Sequence, residues 1–285
     1  MRVLAPGDEP ALQDFFATHP DTTLFFQNNT RKGGLIDRGA PYQGTYVAAF
    51  DGAAITALAS HCWNGNVVVE APAQLGDLVR AAVRASRRAV SGIVGPRAQV
   101  VAARSALGLD GAAAYLDSTE DLFALDLARL QVPEPLAQGA VTCRPPRDAE
   151  VPTLVAWRHA YRVQHLHERA DGALDAKCRE EIERLHREQH HFVLERGGEV
   201  VAFSAYNAAT PSCVQIGGVW TPPALRGQGF ARAVVAGSLL AARERGVPRS
   251  VLFTDVDNHF AKSAYRALGY QRIGDYGMVM FAATS

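Results

Sequence analysis

The order of strand-like and helix-like segments runs twice through this chain, and that repetition constrains its fold more than any other feature. Arg2-Val3-Leu4-Ala5-Pro6-Gly7-Asp8 is echoed by Val141-Thr142-Cys143-Arg144-Pro145-Pro146-Arg147-Asp148. Each reads as a short strand, a turn, and a helix opened by an acidic residue near its positive end. A hairpin follows in each half, Thr45 to Ser60 turning at Asp51-Gly52 and His191 to Tyr206 turning at Gly197-Gly198. Next come a strand (Val67 to Glu70; Cys213 to Trp220), a helix (Leu75 to Ala89; Gly229 to Arg245) and a strand (Val90 to Val94; Ser250 to Thr254). A helix ending in Leu-Gly (Leu107-Gly108; Leu268-Gly269) and a closing strand (Leu122 to Leu127; Tyr276 to Phe281) complete each half. The sequence therefore predicts two tandem α/β domains, each a mixed sheet with helices, over residues 1–130 and 140–285. The linker is expected at 131–139, where Pro133, Pro135 and Gly139 break any period. Gln27 to Gly44, polar and glycine-bearing, reads as a long loop.

The chain has 285 residues, 48% of them apolar, enough to fill a core in each half. Basic and acidic residues balance at 29 each, so no net field draws the protein to nucleic acid or to an anionic membrane. The four cysteines, Cys62, Cys143, Cys178 and Cys213, are scattered without a C-x-x-C pair, against both a zinc knuckle and a disulfide framework. Met1-Arg2-Val3-Leu4 runs directly into Pro6-Gly7-Asp8-Glu9, without the order of a signal peptide, so a cytoplasmic location is expected. The longest apolar stretch, Ala233 to Ala242, is far shorter than the ~20 residues a bilayer span needs and reads as a buried helix.

Chemistry concentrates in the second half. From Gly217 to Ala231 the residues describe a strand, a proline-stiffened turn (Pro222, Pro223) and glycines at a helix entry, Arg226-Gly227-Gln228-Gly229-Phe230-Ala231. Glycine lets backbone approach an anion, and the unpaired N–H groups and positive dipole end of the helix then face it. Such a turn can also merely cap a helix. Neither G-x-x-x-x-G-K-(S/T) nor G-x-G-x-x-G is present. A second segment, Thr254 to Tyr270, places Asn258 at a helix entry and Ala261 and Tyr265 four residues apart on one helical face.

Together these segments resemble the GNAT superfamily of N-acetyltransferases. That family's loop reads (Arg/Gln)-x-x-Gly-x-(Gly/Ala), and its later helix reads Asn-x-x-Ala-x-x-x-Tyr-x-x-x-Gly-(Phe/Tyr). Arg226, Gly229, Ala231, Asn258, Ala261, Tyr265, Gly269 and Tyr270 fill every keyed position. The resemblance covers Val141 to Phe281 and, by element order only, the first half; the layout is similar to bacterial two-domain GNAT proteins with a degenerate N-terminal domain.

The resemblance implies acetyl-CoA as donor substrate, with no metal, and a small-molecule or peptide primary amine as acceptor, attacking directly in a ternary complex. Donor contacts are expected from Val219, Thr221, Arg226, Gly227, Gln228, Gly229, Phe230, Ala231, Asn258 and Ala261. The Val219 N–H would polarise the thioester carbonyl, and Tyr265 would protonate the departing thiolate. A longer acyl-CoA or an aminoacyl donor, or a non-catalytic acyl-CoA sensor, are the alternatives, and the protein is expected to be a monomer or homodimer.

The general base is left open between a water relay, Asp255 and Glu168, because Gln215 is the only long polar side chain on its strand. Asp255 also suits a turn, and Glu168 an exposed helix end. His159, His165, His167, His186, His190 and His191 cluster in sequence, but Arg187 stands where H-E-x-x-H needs its glutamate, and Glu180 to Glu188 reads as a solvated helical face. In the first half the segment equivalent to the loop, Glu70 to Asp77, lacks paired glycines, and Arg104 aligns with Tyr265. One donor site per chain is expected.

Overall fold

A computed structural model describes residues 1–282. The first part of the chain forms β1 (Arg2–Val3), α1 (Glu9–Thr18), α2 (Leu24–Gly33), β2 (Gly44–Asp51), β3 (Ala54–Cys62), β4 (Asn66–Glu70), α3 (Leu75–Ser86), β5 (Gly92–Pro96), α4 (Arg97–Ala106) and β6 (Ala114–Asp126). The rest forms α5 (Glu134–Ala137), β7 (Thr142–Arg144), α6 (Val151–His165), α7 (Gly172–Glu188), β8 (His191–Arg196), β9 (Glu199–Ala209), β10 (Cys213–Trp220), α8 (Phe230–Glu244), β11 (Arg249–Asp255), α9 (His259–Arg266) and β12 (Gln271–Phe281). The two compact units are residues up to Leu122 together with the described residues from Gly274 on, and Phe123–Ile273.

In the first unit the strands run in the order β1-β2-β3-β4-β5-β12, antiparallel except for the parallel pair β4–β5. In the second the order is β6-β11-β10-β9-β8-β7, with β10–β11 parallel and the strands from β10 to β7 antiparallel. Mixed α/β units in tandem are thus present, and both hairpins turn where the sequence predicts.

The closing strands are exchanged. The sequence assigned Tyr276–Phe281 to the second half, but Tyr276 to Met280 pair with Pro96 to Gly92 of β5 in the first unit. Val279 and Phe281 join its core beside Val67, Ile93 and Val100. Leu122–Leu127, assigned to the first half, instead sends Phe123, Leu125 and Leu127 into the second unit's core with Phe192, Val234 and Tyr270. The segment expected as a linker, 131–139, also lies in that unit. Its backbone is fastened there by Gln131 N–H to Leu268 O at 3.0 Å and by Val141 N–H to Pro135 O at 3.2 Å, while Val132 and Leu136 pack on the core. The expected loop from Gln27 to Gly44 is helical as far as Gly33, because Leu24 and Phe26 bury one side of α2 and buried Asn29 reaches Cys62 Sγ at 3.8 Å.

Two cores flank the second unit's sheet. Under α8, Val234, Val235 and Leu239 meet Phe192, Leu194, Ala202, Val214 and Ile216. On the opposite face Leu154 of α6 and Ile182 and Leu185 of α7 meet Val193, Phe203, Ala205 and Trp220. Burying each of the valine, leucine, isoleucine and phenylalanine side chains among these contributes about 1.5–3 kcal/mol, which holds β10 between two packed layers. No helix among the described residues is long and apolar enough to cross a membrane.

Candidate active site

The site is built where β10 and β11 part. Their parallel ladder runs from Cys213↔Arg249 to Gln215↔Val251, although β10 continues to Trp220 and β11 to Asp255. The β9–β10 pairing shifts register twice, with Asn207 of β9 as the extra residue between Gln215 and Ile216 and an extra residue of β10 between Gly217 and Trp220, and the second of these bends β10 away. The backbone of Ile216–Trp220 on the β11 side is thereby left as a sheet edge, open to an extended ligand. Gly218 carries φ +62° within the second bulge, and a Cβ there would collide with Arg158 Nη1. Only glycine satisfies both conditions.

The loop after β10 turns through Pro223–Leu225 and enters α8 at Gly229. Gly227 has φ +80° and Gly229 φ +78°; a Cβ at Gly227 would touch nothing, and one at Gly229 only Arg232 at 4.0 Å. The glycines are therefore needed for conformation, not space. No side chain caps α8, so the N–H groups of its first turn point outward from a positive helix end, an arrangement suited to a pyrophosphate. Gly229→Ala is expected to cost about 1–2 kcal/mol for placing alanine in the left-handed region, read as a drop in denaturation midpoint. An unchanged midpoint would show that the turn relaxes.

Around this loop Arg226 is a brace. Its Nε donates to Thr221 O at 3.1 Å, its Nη2 to Gln164 Oε1 at 3.2 Å, and its guanidinium covers the Trp220 ring at 5.0 Å. Gln228 accepts from Arg196 Nη1 at 3.0 Å, and Arg196 in turn covers buried Phe230 at 4.6 Å. Ala231 sits in the first turn of α8. Asn258 is the N-cap of α9, its Oδ1 accepting from Ala261 N–H at 3.1 Å. Tyr265 lies half-buried, its ring 6.4 Å from Phe123 and 6.0 Å from Tyr270. Val219, Phe230 and Tyr265 border one apolar cluster, so the two sequence motifs are brought to the same core.

The candidate bases fare differently. Asp255 is exposed and accepts from Asp257 N–H at 2.7 Å, a turn role. Glu168, expected at an exposed helix end, is instead held by Arg162 and by Lys177 Nζ at 3.0 Å with its side chain only 13% exposed. Burial, opposed by Arg158 and Arg162, leaves the Glu181 carboxyl depressed to about 2. Glu181 falls in the stretch expected as a solvated helical face, and the sequence carries no expectation for Arg158 and Arg162. Their signal was the i,i+4 spacing of two arginines on α6, but their partner on α7 is remote in sequence.

The histidines serve hydrogen bonds and packing. His186 contacts His191 Nε2 at 3.0 Å and Asp148 Oδ1 at 2.8 Å, His190 contacts Glu188 at 3.1 Å, and His159 contacts Asp175 at 3.5 Å. Burial, then His186 and His190, lowers the His191 pKa to about 3, keeping it neutral. His165 stacks edge-on to Trp220 at 6.0 Å, and burial followed by Arg226 lowers its pKa. Among the described residues no group of three or more histidines, cysteines or carboxylates could hold a metal ion. In the first unit, Gln74 rather than glycine takes the left-handed position before α3, and Arg104 is committed to Asp117 at 2.8 Å and to the Leu109 carbonyl at 2.9 Å.

Comparison with known proteins assigns the class. Residues 154–270 match the Acetyltransferase (GNAT) family and constitute a GNAT acetyltransferase domain. More particularly, the chain is 30% identical over 146 residues to the mycothiol acetyltransferase of Streptomyces bingchenggensis (strain BCW-1). That match covers 50% of this chain and 47% of the relative, so it spans about half the relative's length. A Drosophila protein shares the fold at TM-score 0.71 and 12% identity, covering 100% of this chain and 99% of that one. A tandem GNAT protein from the clavulanic acid biosynthesis pathway matches at 0.55 and 13% (100% and 98% covered). A GCN5-related N-acetyltransferase from Sphaerobacter thermophilus matches at 0.58 and 15% (98% and 93% covered). At these identities the likeness is one of fold.

Proposed function

We propose that the second unit binds acetyl-CoA and transfers its acetyl group to a primary amine. The observation that carries this reading is the parting of β10 from β11 beside a glycine loop that opens α8, all within the GNAT domain. The donor supplies the thioester. Gly227, Gln228, Gly229, Phe230 and Ala231 would hold its pyrophosphate, and the open edge of Ile216–Trp220 its extended arm. Val219 N–H would hold the negative charge that develops on the carbonyl oxygen. As the N–C bond forms and the C–S bond breaks, the electron pair goes to sulfur and Tyr265 gives it a proton; the surplus proton of the amine leaves to water. Water is the favoured acceptor of that proton because Asp255 is engaged in a turn, Glu168 in ion pairs, and Gln215 cannot ionise. The name of the relative at 30% identity, a mycothiol acetyltransferase, supports acetyl transfer.

Calorimetric titration with acetyl-CoA should give one site per chain, and Gly229→Ala should weaken it by about tenfold for 1.4 kcal/mol of lost fit. Thiol release across an amine panel measures turnover. Binding without any turnover would favour an acyl-CoA sensor, and intact-mass analysis of a co-purified ligand would expose a longer acyl donor.

A further inference from the structure

Four of the buried polar atoms without a hydrogen-bond partner among the described residues belong to β10, to the residue that follows it or to the helix packed on it: Arg158 Nε, Gln215 Oε1, Trp220 Nε1 and Thr221 Oγ1. Three lie on or just after β10, and the fourth is on α6 against the β10 bulge. A buried polar atom left unpaired is costly, so these atoms point to a ligand that completes them. Arg158 is the most telling. It is only 7% exposed, yet among the described residues its sole hydrogen-bond acceptor is Glu181, which it shares with Arg162. Its Nη1 abuts Gly218, the residue before Val219. A guanidinium has five N–H donors in a planar fork that matches a carboxylate.

The strand geometry turns Gln215 toward the face of β10 on which α6, and with it Arg158, packs. Val214 and Ile216 join the core under α8, so Gln215 and Gly217 face the other way, toward the side that carries α6. Asn207 lies on that same side, its amide over Gly217. Gln215 Oε1 is an acceptor suited to an amine N–H, and Arg158 is a donor suited to an anion, with its Nη1 against Gly218, next to Val219.

We propose that the acceptor is a free α-amino acid, or a compound ending in one, whose carboxylate is bound by Arg158 while Gln215 accepts from its amine. This rests on the acetyl-transfer reading above and specifies its acceptor. One carbon separates amine and carboxylate in such a molecule, so the amine reaches the thioester carbonyl at Val219 while the carboxylate stays on Arg158. No group beyond those already named for the transfer is required.

The test uses the full chain with acetyl-CoA, following thiol release with free L-amino acids, the matching carboxamides and simple alkylamines. The expected result is a kcat/KM at least about tenfold higher for acids than for their amides, since a site built around a buried hydrogen-bonding group rejects analogues that leave it unpaired. Arg158→Gln should raise the KM for the acids and bring acids and amides to within about threefold of one another, with acetyl-CoA affinity by calorimetry unchanged. Arg158→Lys, which keeps the charge but loses the fork, should fall between. If the Arg158 variants do not fold, the comparison on the unaltered protein decides alone. Amides or alkylamines that match or exceed the acids, or turnover of amines with no amino acid accepted, would overturn the proposal and leave acetyl transfer standing. Failure of acetyl-CoA to bind would remove acetyl transfer and this inference with it.

Discussion

Replacing Glu181 by glutamine is expected to destabilise the protein by about 3–5 kcal/mol. Glu181 receives Arg158 on one oxygen and Arg162 Nη2 at 2.7 Å on the other, with its side chain 15% exposed. An amide offers one acceptor oxygen and no charge, so two largely buried guanidinium groups would lose their counter-ion. The pH dependence follows from the same geometry. Burial pushes the carboxyl up, Arg158 and Arg162 pull it further down, and it settles at about 2 against an ordinary 4.5. Because the folded-state value is the lower one, this stabilisation is complete above pH 4.5 and is lost as pH falls toward 2. The shift corresponds to roughly 3 kcal/mol. Denaturant midpoints at pH 7 and pH 3 should therefore drop for the unaltered protein and change less for Glu181→Gln. A variant as stable as the parent at pH 7, or one with the same acid sensitivity, would mean that the ion pairs are solvated and nearly neutral in their effect.

What could be read from sequence is what local chemistry determines. The hairpin turns at Asp51-Gly52 and Gly197-Gly198, the glycine entry to α8 and the strand Cys213–Trp220 all lie where residue pattern places them. Partner choice over long range was hidden. Leu122–Leu127 and Tyr276–Phe281 have the same apolar strand character, and nothing in either tells which sheet it completes. Two prolines and a glycine made 131–139 look like a break, yet prolines are compatible with a segment whose other residues hydrogen-bond onto the second unit. Helix α2 was masked by Asn28 and Asn29, polar residues that are buried. Within the site, the motif residues of the loop and of α9 were legible because their spacing is local. Arg158 and Glu181, 23 positions apart, were not, since charged residues are by default solvated and only the packing of α6 on α7 takes these out of water.

Tyr265→Phe is expected to lower kcat by about a hundredfold, the lower end of what general acid catalysis supplies, with little effect on stability or on acetyl-CoA affinity. The ring is fixed by Phe123 at 6.4 Å and Tyr270 at 6.0 Å on the edge of the apolar core, and phenylalanine keeps both contacts. Only the hydroxyl is lost. A proton donor matters when the thiolate departs and not when the thioester binds, so the loss should fall equally on kcat and on kcat/KM, the pattern of an interaction made in the transition state. A purely packing role would give the opposite result: a lowered denaturation midpoint with kcat intact. Because half-buried tyrosine at helical spacing is a common core residue, the two measurements on one variant decide whether the second motif of this domain carries chemistry or only holds α9 against the sheet.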